Sequence, residues 1–311
     1  MNKDDQRALM ATQKAETLVK NAKNIEKYRK DFEANMAKEC DLMTDPISIE
    51  FCETTRQKQM WAVFLHLTSS LPYRGFVGRR RQFFVKCGDV IIGMVQMASP
   101  LAQSRPRDQY LGFKDAKEKW ANINNYYNIC ACVSTSKYAP LLTGKLLVYT
   151  IFSKEVKKYL EDTYTNPALG FEITSLFGKS SIYNRIPFVK FLGETDGYSA
   201  VAISDDDWAV IKAEWIEKCG HHKQAGKDTT RLAEAKFQVL AKLEGWYKRN
   251  KQEFPYVYKQ EATRRGVYFG HLTNEFTVQE RVDQWRERWL KGRLERGYTP
   301  DNSGKYQNGQ V

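Results

Sequence analysis

The sequence predicts an α/β protein: a central sheet of mixed direction with flanking helices, extended by helical segments at both ends. Three observations carry that reading. Two β-rich runs, residues 82–87 and 90–98, are joined by Gly88-Asp89, a tight link between apolar segments that signals a hairpin. A buried-strand pattern at 127–134 gives way after Pro140 to apolar positions Leu142, Leu146, Tyr149, Phe152, Val156 and Leu160, which keep the roughly 3.6-residue helical period. Further strands expected at 170–176, 188–193 and 199–203 are separated by little helix, which points away from a long doubly wound series.

Taken in order, residues 7–40 lack Gly and Pro and alternate charges of both signs with a weak apolar stripe. They read as a helix packed on the domain behind it, a helical arm for a protein partner or nucleic acid being the alternative. A second helix is expected over 54–70. The stretch 99–113 is too rich in Ser, Pro and Arg for core, and 115–126 reads as a short helix. Asn166-Pro167 ends the long helix, and a short helix over 182–186 bears Tyr183. Beyond Asp207 the pattern is helical, at 208–219, 230–250 and 278–294. From 220 to 300 there are 17 Lys and Arg against 10 Asp and Glu, with 12 aromatics. The expected domains are therefore a helical extension over 1–70, an α/β domain over 71–205, a basic helical region over 206–300 and a flexible tail over 301–311.

The 311 residues carry 49 Lys and Arg against 37 Asp and Glu, a net charge of +12, which favours a polyanionic partner. A 42% hydrophobic and 13% aromatic content excludes disorder throughout. No apolar run is long enough to span a bilayer, and MNKDDQRALM has no signal-peptide core, so an intracellular, cytoplasmic protein with no membrane contact is expected. Six cysteines are too few for a disulfide scaffold. Cys130 and Cys132 read as one strand's thiols on a common face, and with only four histidines no metal site is expected.

Residues 141–145 lie where a loop becomes a helix amino end. Thr143, Gly144 and Lys145, with Lys137 nearby, offer a hydroxyl, close approach and charge to a phosphate-bearing cofactor. The leading glycine of a P-loop is missing, and ordinary capping explains Thr and Gly there equally. Basic residues recur beside aromatics: Arg79, Arg80 and Arg81 before Phe83, Trp246-Tyr247-Lys248-Arg249, Arg264 and Arg265 before Tyr268, and Trp285 to Trp289. With Arg105, Lys179 and Arg185 they form a candidate DNA- or RNA-binding set, because cations neutralise phosphates while rings stack on bases. Trp285 and Trp289 alone read better as the buried stripe of a helix.

The order hairpin, strand to Ser134, loop 135–145, long helix, strand, Tyr183 helix and strand to Gly193 is similar to the GNAT acyltransferase fold. The resemblance implies an acyl-CoA cofactor, acetyl-CoA or a relative, received by the loop before the long helix, with Tyr183 as general acid. This chain has a single glycine between Ser136 and Lys145, where the family has two small residues. Residues 98–113 and 174–197 resemble the DUF4338 group, which includes the Druantia anti-phage defence proteins. That group's Arg-Asp and aromatic-Gly motif is matched by Arg107-Asp108 and Leu111-Gly112-Phe113, and its late turn by Gly193 to Gly197. The layout also resembles, more distantly, the phage Mom proteins, which modify adenine in DNA. These resemblances cover about residues 75 to 205. They imply nucleic-acid modification with Tyr183, Arg107 and Asp108 as catalytic residues; a non-catalytic nucleic-acid-binding or phage structural protein is the alternative. Tyr183 reads equally as a core aromatic, and Arg107-Asp108 as a loop-fixing ion pair.

Overall fold

A computed structural model describes residues 3–73, 78–176, 178–195, 201–202, 205–219, 236–256, 259–260 and 264–300. Helices α1 (Lys3–Lys20) and α2 (Ala22–Ala37) replace the single amino-terminal helix expected, the break falling at Asn21. Strand β1 (Ile47–Phe51) precedes α3 (Thr55–Thr68), which starts in a capping box: the Thr54 hydroxyl accepts from Gln57 N–H while the Gln57 side chain returns to Thr54. The hairpin is β2 (Arg80–Cys87) and β3 (Val90–Ala98), turning at Gly88-Asp89 as expected. Two short helices, α4 (Arg105–Leu111) and α5 (Ala116–Asn122), lead to β4 (Tyr126–Ser134).

A 3-10 turn at Ser136–Leu141 opens onto α6 (Thr143–Ile151) and α7 (Lys154–Tyr164). The one long helix expected here is broken because Ser153 adopts extended backbone and Arg281 caps the Phe152 carbonyl at 2.8 Å. Strands β5 (Gly170–Ser175) and β6 (Lys190–Glu194) follow, and residues 181–185 between them form a turn rather than the expected helix. Next come β7 (Val201–Ala202), α8 (Asp205–Cys219), α9 (Lys236–Arg249) and β8 (Lys259–Gln260). The expected strand at 199–203 lies largely outside the described residues. The chain closes with β9 (Gly266–His271), α10 (Val278–Trp285), a π turn at Arg286–Leu290 and α11 (Lys291–Leu294).

Two compact units result, one of residues 196–264 and the other of 2–195 with 265–311. This division differs from the one expected at residue 206, because β9 belongs to the main sheet, whose order is β1-β2-β3-β4-β5-β9-β6. The sheet is mixed: β4 and β5 run parallel and every other neighbouring pair antiparallel. The parallel pairing lasts only from Tyr126–Gly170 to Ile129–Ile173, although β4 continues to Ser134, so the two strands part beyond that point. A bulge in the β3–β4 register at Gln96/Met97 shifts alternation here. Cys130 therefore meets Gln96, while Cys132 packs in the core beside the Gly144 carbonyl; the two thiols do not share a face.

Helices α6, α7 and α10 bury one sheet face through Leu147, Val148, Val156 and Val282 against Val95, Ile129, Phe171 and Ile173. Gly93 is required there, since a Cβ would lie 2.3 Å from Leu147. The opposite face packs α3 through Trp61 and Phe64 on Phe84 and Met94. In the smaller unit α8 and α9 share a core of Ile211, Trp215, Val239, Leu240, Leu243 and Tyr247. Among the described residues no helix is long and apolar enough to cross a membrane, and no His, Cys, Asp and Glu side chains gather as a metal site.

Candidate functional site

At the amino end of α6, Leu142 takes a left-handed backbone (φ 60°) that turns the chain out of the preceding 3-10 segment. Thr143 is fully buried and its hydroxyl donates to the Tyr138 carbonyl at 3.0 Å. Gly144 faces Ile182, whose side chain would lie 3.5 Å from an added Cβ. Lys145, also buried, donates to the carbonyls of Ser181 (2.7 Å), Ile182 (3.1 Å) and Asn184 (2.7 Å). Lys137 donates to the Lys38 carbonyl at 3.0 Å. The four residues expected to hold a cofactor are thus engaged within the protein. An acyl-CoA pyrophosphate does not fit among them as they stand: an aliphatic side chain covers Gly144, and the lysine serves the 181–184 turn.

That turn carries Tyr183, whose ring centroid lies 5.3 Å from that of Tyr268. The Tyr268 hydroxyl donates to Asn184 Oδ1 and accepts from Ser180 N–H, which holds the turn against β9. Burial, with Cys132 and Tyr268 adding to it, pushes the Tyr183 phenol well above its ordinary value. It therefore keeps its proton at neutral pH and cannot serve as a base. Tyr183 lies near the α6 start, as the sequence reading requires, but on a turn.

Beside it cations collect around one indole. Lys145, Arg288 and Arg185 sit 4.3, 5.3 and 5.6 Å from the Trp289 ring centroid. Trp289 and Arg288 ride the π turn, a local widening that recurs at functional positions. Trp285 is buried, donating to the Leu142 carbonyl, as the helix-stripe reading expected. Burial, reinforced by Arg185 and Arg288, lowers Lys145 to about 8. Neither arginine has an ion-pair partner among the described residues.

The other face of the sheet holds Arg107 and Asp108. Arg107 is fully buried; its Nη1 donates to Glu172 Oε2 and to the Leu101 carbonyl, both at 2.7 Å. Its Nε and Nη2 donate to Asp108 Oδ1, and Lys119 donates to Asp108 Oδ2 at 2.7 Å. Burial pushes the Glu172 carboxyl up, with Arg107 pulling the other way. Ser104 adds to that pull by approaching the Glu172 carboxylate, while Asn128 Oδ1 is buried without a hydrogen-bond partner among the described residues. Register explains the gathering: Asn128, Glu172 and Phe269 lie in one row across β4, β5 and β9.

The next row holds Tyr126 and His271, with Gly170 between them leaving room for the Phe269 ring. Tyr110 of α4 lies 5.5 Å from Phe269 and 5.9 Å from His271, and Lys190 stands 4.9 Å over Tyr110. Tyr268 precedes Phe269 in the strand and so points the opposite way, taking Tyr183 with it. The sheet thus separates Tyr183 from Arg107 and Asp108, and the expected catalytic trio is not assembled. Sequence reading passed over Glu172, whose signal was a lone carboxylate in the apolar run GFEITS.

The expected nucleic-acid set divides. Arg79 is a clamp, donating to the Asn124 and Tyr126 carbonyls and lying 4.4 Å over Tyr127. Arg81 lies over Tyr164 with its Nε buried. Arg80, Arg105 and Arg185 are exposed, as is Lys179, which stands 5.0 Å over Phe191. Arg264 is exposed in the smaller unit, whereas Arg265 is half-buried, its N–H donating to Thr195 Oγ1 at 3.0 Å.

No curated protein and no solved structure matches this chain. A family model does, that of the Druantia protein DruA, over residues 1–243. That span takes in the hairpin, the Arg107–Glu172 pair, the α6 start and the Tyr183 turn, and on it the chain belongs to the Druantia protein DruA family.

Proposed function

We propose that this chain serves anti-phage defence, the role its family membership suggests, by binding nucleic acid, with the phosphate backbone seated on the cations at the amino end of α6. One observation carries the reading: Lys145, Arg185 and Arg288 surround Trp289, and neither arginine is paired with a carboxylate among the described residues. Burial depresses Lys145 first and repulsion from Arg185 and Arg288 adds to it, and it is this repulsive part that an arriving phosphate relieves. The net charge of +12 supplies the long-range attraction. Binding to a 20-base-pair duplex, followed by fluorescence anisotropy between about 50 and 200 mM salt, tests this. Affinity should fall steeply with salt, and Arg185→Ala with Arg288→Ala should flatten the log–log slope by about 0.9 per lost phosphate contact. Affinity indifferent to salt, or a double variant with the wild-type slope, overturns the reading.

A second reading adds chemistry, a GNAT-like acyl transfer to a nucleobase of the Mom type. What favours it is the parting of β4 from β5 beyond Ile129 and Ile173, with α6 beginning after that gap. Lys145 and Ile182 speak against a resident donor. Mass spectrometry of nucleosides from expressing cells decides it: an added acyl mass, lost in Tyr183→Phe, establishes transfer, and unmodified nucleosides leave binding alone.

A further inference from the structure

We propose that the cleft between α8 and α9 binds an unpaired nucleotide of a nucleic-acid strand, its base against Trp246 and its phosphate between Lys242 and Arg249. The inference rests on the nucleic-acid reading above and adds a separate site and the single-stranded form of the ligand. The cleft measures about 620 Å³, within the size range of small-ligand sites, and Trp215, Lys218, Cys219, Lys242, Trp246 and Arg249 line it.

Four features of the lining point to this ligand. Trp215 is buried, yet its indole N–H has no acceptor among the described residues. An orphaned buried donor costs stability unless a ligand oxygen or water meets it. The cations converge: Arg249, Lys242 and Lys218 all favour the Cys219 thiolate, although burial outweighs them and the thiol is pushed up. Their charge is only partly answered. Glu214 takes the Lys218 ammonium at 2.6 Å and accepts from Tyr247 and Tyr256, so Lys218 is committed. Arg249 is exposed and has no carboxylate partner among the described residues. Finally, Trp246 is half-buried at the wall with Lys218 4.7 Å from its ring centroid, a polarised face of the kind on which bases stack. A duplex cannot offer a free base face, which selects the single strand.

Cys219 lines the cleft and reports its occupancy. Full-length protein is alkylated with iodoacetamide, with and without a fluorescein-labelled thymidine 20-mer, and Cys219 modification is followed by peptide mass spectrometry. Saturating 20-mer should slow alkylation of Cys219 several-fold, while a duplex of the same length should not. Lys242 and Arg249 are exposed, so Lys242→Ala with Arg249→Ala retains the fold. The pair should raise the dissociation constant for the 20-mer about tenfold, and Trp246→Ala by a similar factor that Trp246→Phe restores. Anisotropy showing salt-dependent binding with unprotected Cys219 overturns this site and leaves the function reading standing. Absence of binding to any polynucleotide overturns both. Equal protection by polyglutamate overturns the nucleotide assignment and makes the cleft a docking site for acidic protein.

Discussion

Arg107 and Glu172 form the most consequential contact in the molecule, a 2.7 Å ion pair with both side chains fully buried. Such a pair owes its value to completeness, because removing either partner strands a charge out of water. Arg107→Leu is expected to lower unfolding free energy by about 3–5 kcal/mol, measured by denaturant titration. Glu172→Gln keeps the shape and leaves Arg107 its contacts with Asp108 and Leu101, so its cost should be smaller. A loss as mild for the leucine variant as for the glutamine variant would show that Glu172, already pushed up by burial, takes a proton and leaves no stranded charge. The adjacent residues Arg107-Asp108 were legible in the sequence as an ion pair. Glu172 was not, because it stands 65 positions away and only the β4–β5–β9 register brings it beneath α4.

At the scale of elements, one lysine locks the 181–185 turn to α6, and its titration gives the lock a sign. Lys145 is lowered from an ordinary value of 10.5 to about 8, so the folded protein releases this proton more readily than the unfolded chain does. Below about pH 8 both states are protonated and the full cost of the buried charge is present; between about 8 and 10.5 the folded state gains stability as pH rises. Wild type should therefore gain on Lys145→Met by about 3 kcal/mol between pH 7.5 and 10.5, read as the difference of two urea titrations. A constant difference would mean that the three carbonyls hold the ammonium charged throughout. Periodicity exposed α6 and α7, and the Gly-Asp link exposed the hairpin, because both signals are local. β9 stayed hidden: its residues read as a basic and aromatic run, and its partners β5 and β6 are separated from it by long stretches of chain.

For the whole molecule, the decisive feature is that residues 196–264 interrupt two neighbouring strands. β6 and β9 are antiparallel, and their ends are tied where the smaller unit leaves and returns: Thr195 N–H donates to the Arg265 carbonyl at 2.9 Å, and Arg265 N–H to Thr195 Oγ1. Such an end is one that a tight turn can close, and the smaller unit has its own core of Ile211, Trp215, Val239, Leu240, Leu243 and Tyr247. Replacing 196–264 by Asn-Gly shortens the loop and should leave the seven-stranded sheet folded, since closing a short turn costs less chain entropy than closing a long loop. Circular dichroism should show strand content retained and one cooperative melt. The shortened protein should keep the salt-dependent duplex binding assigned to Arg185 and Arg288 and lose its preference for a single strand. Collapse of the melt would mean that the sheet depends on the smaller unit for folding, and undiminished single-strand preference would move that recognition to the Tyr110, Phe269 and His271 rings on the main sheet.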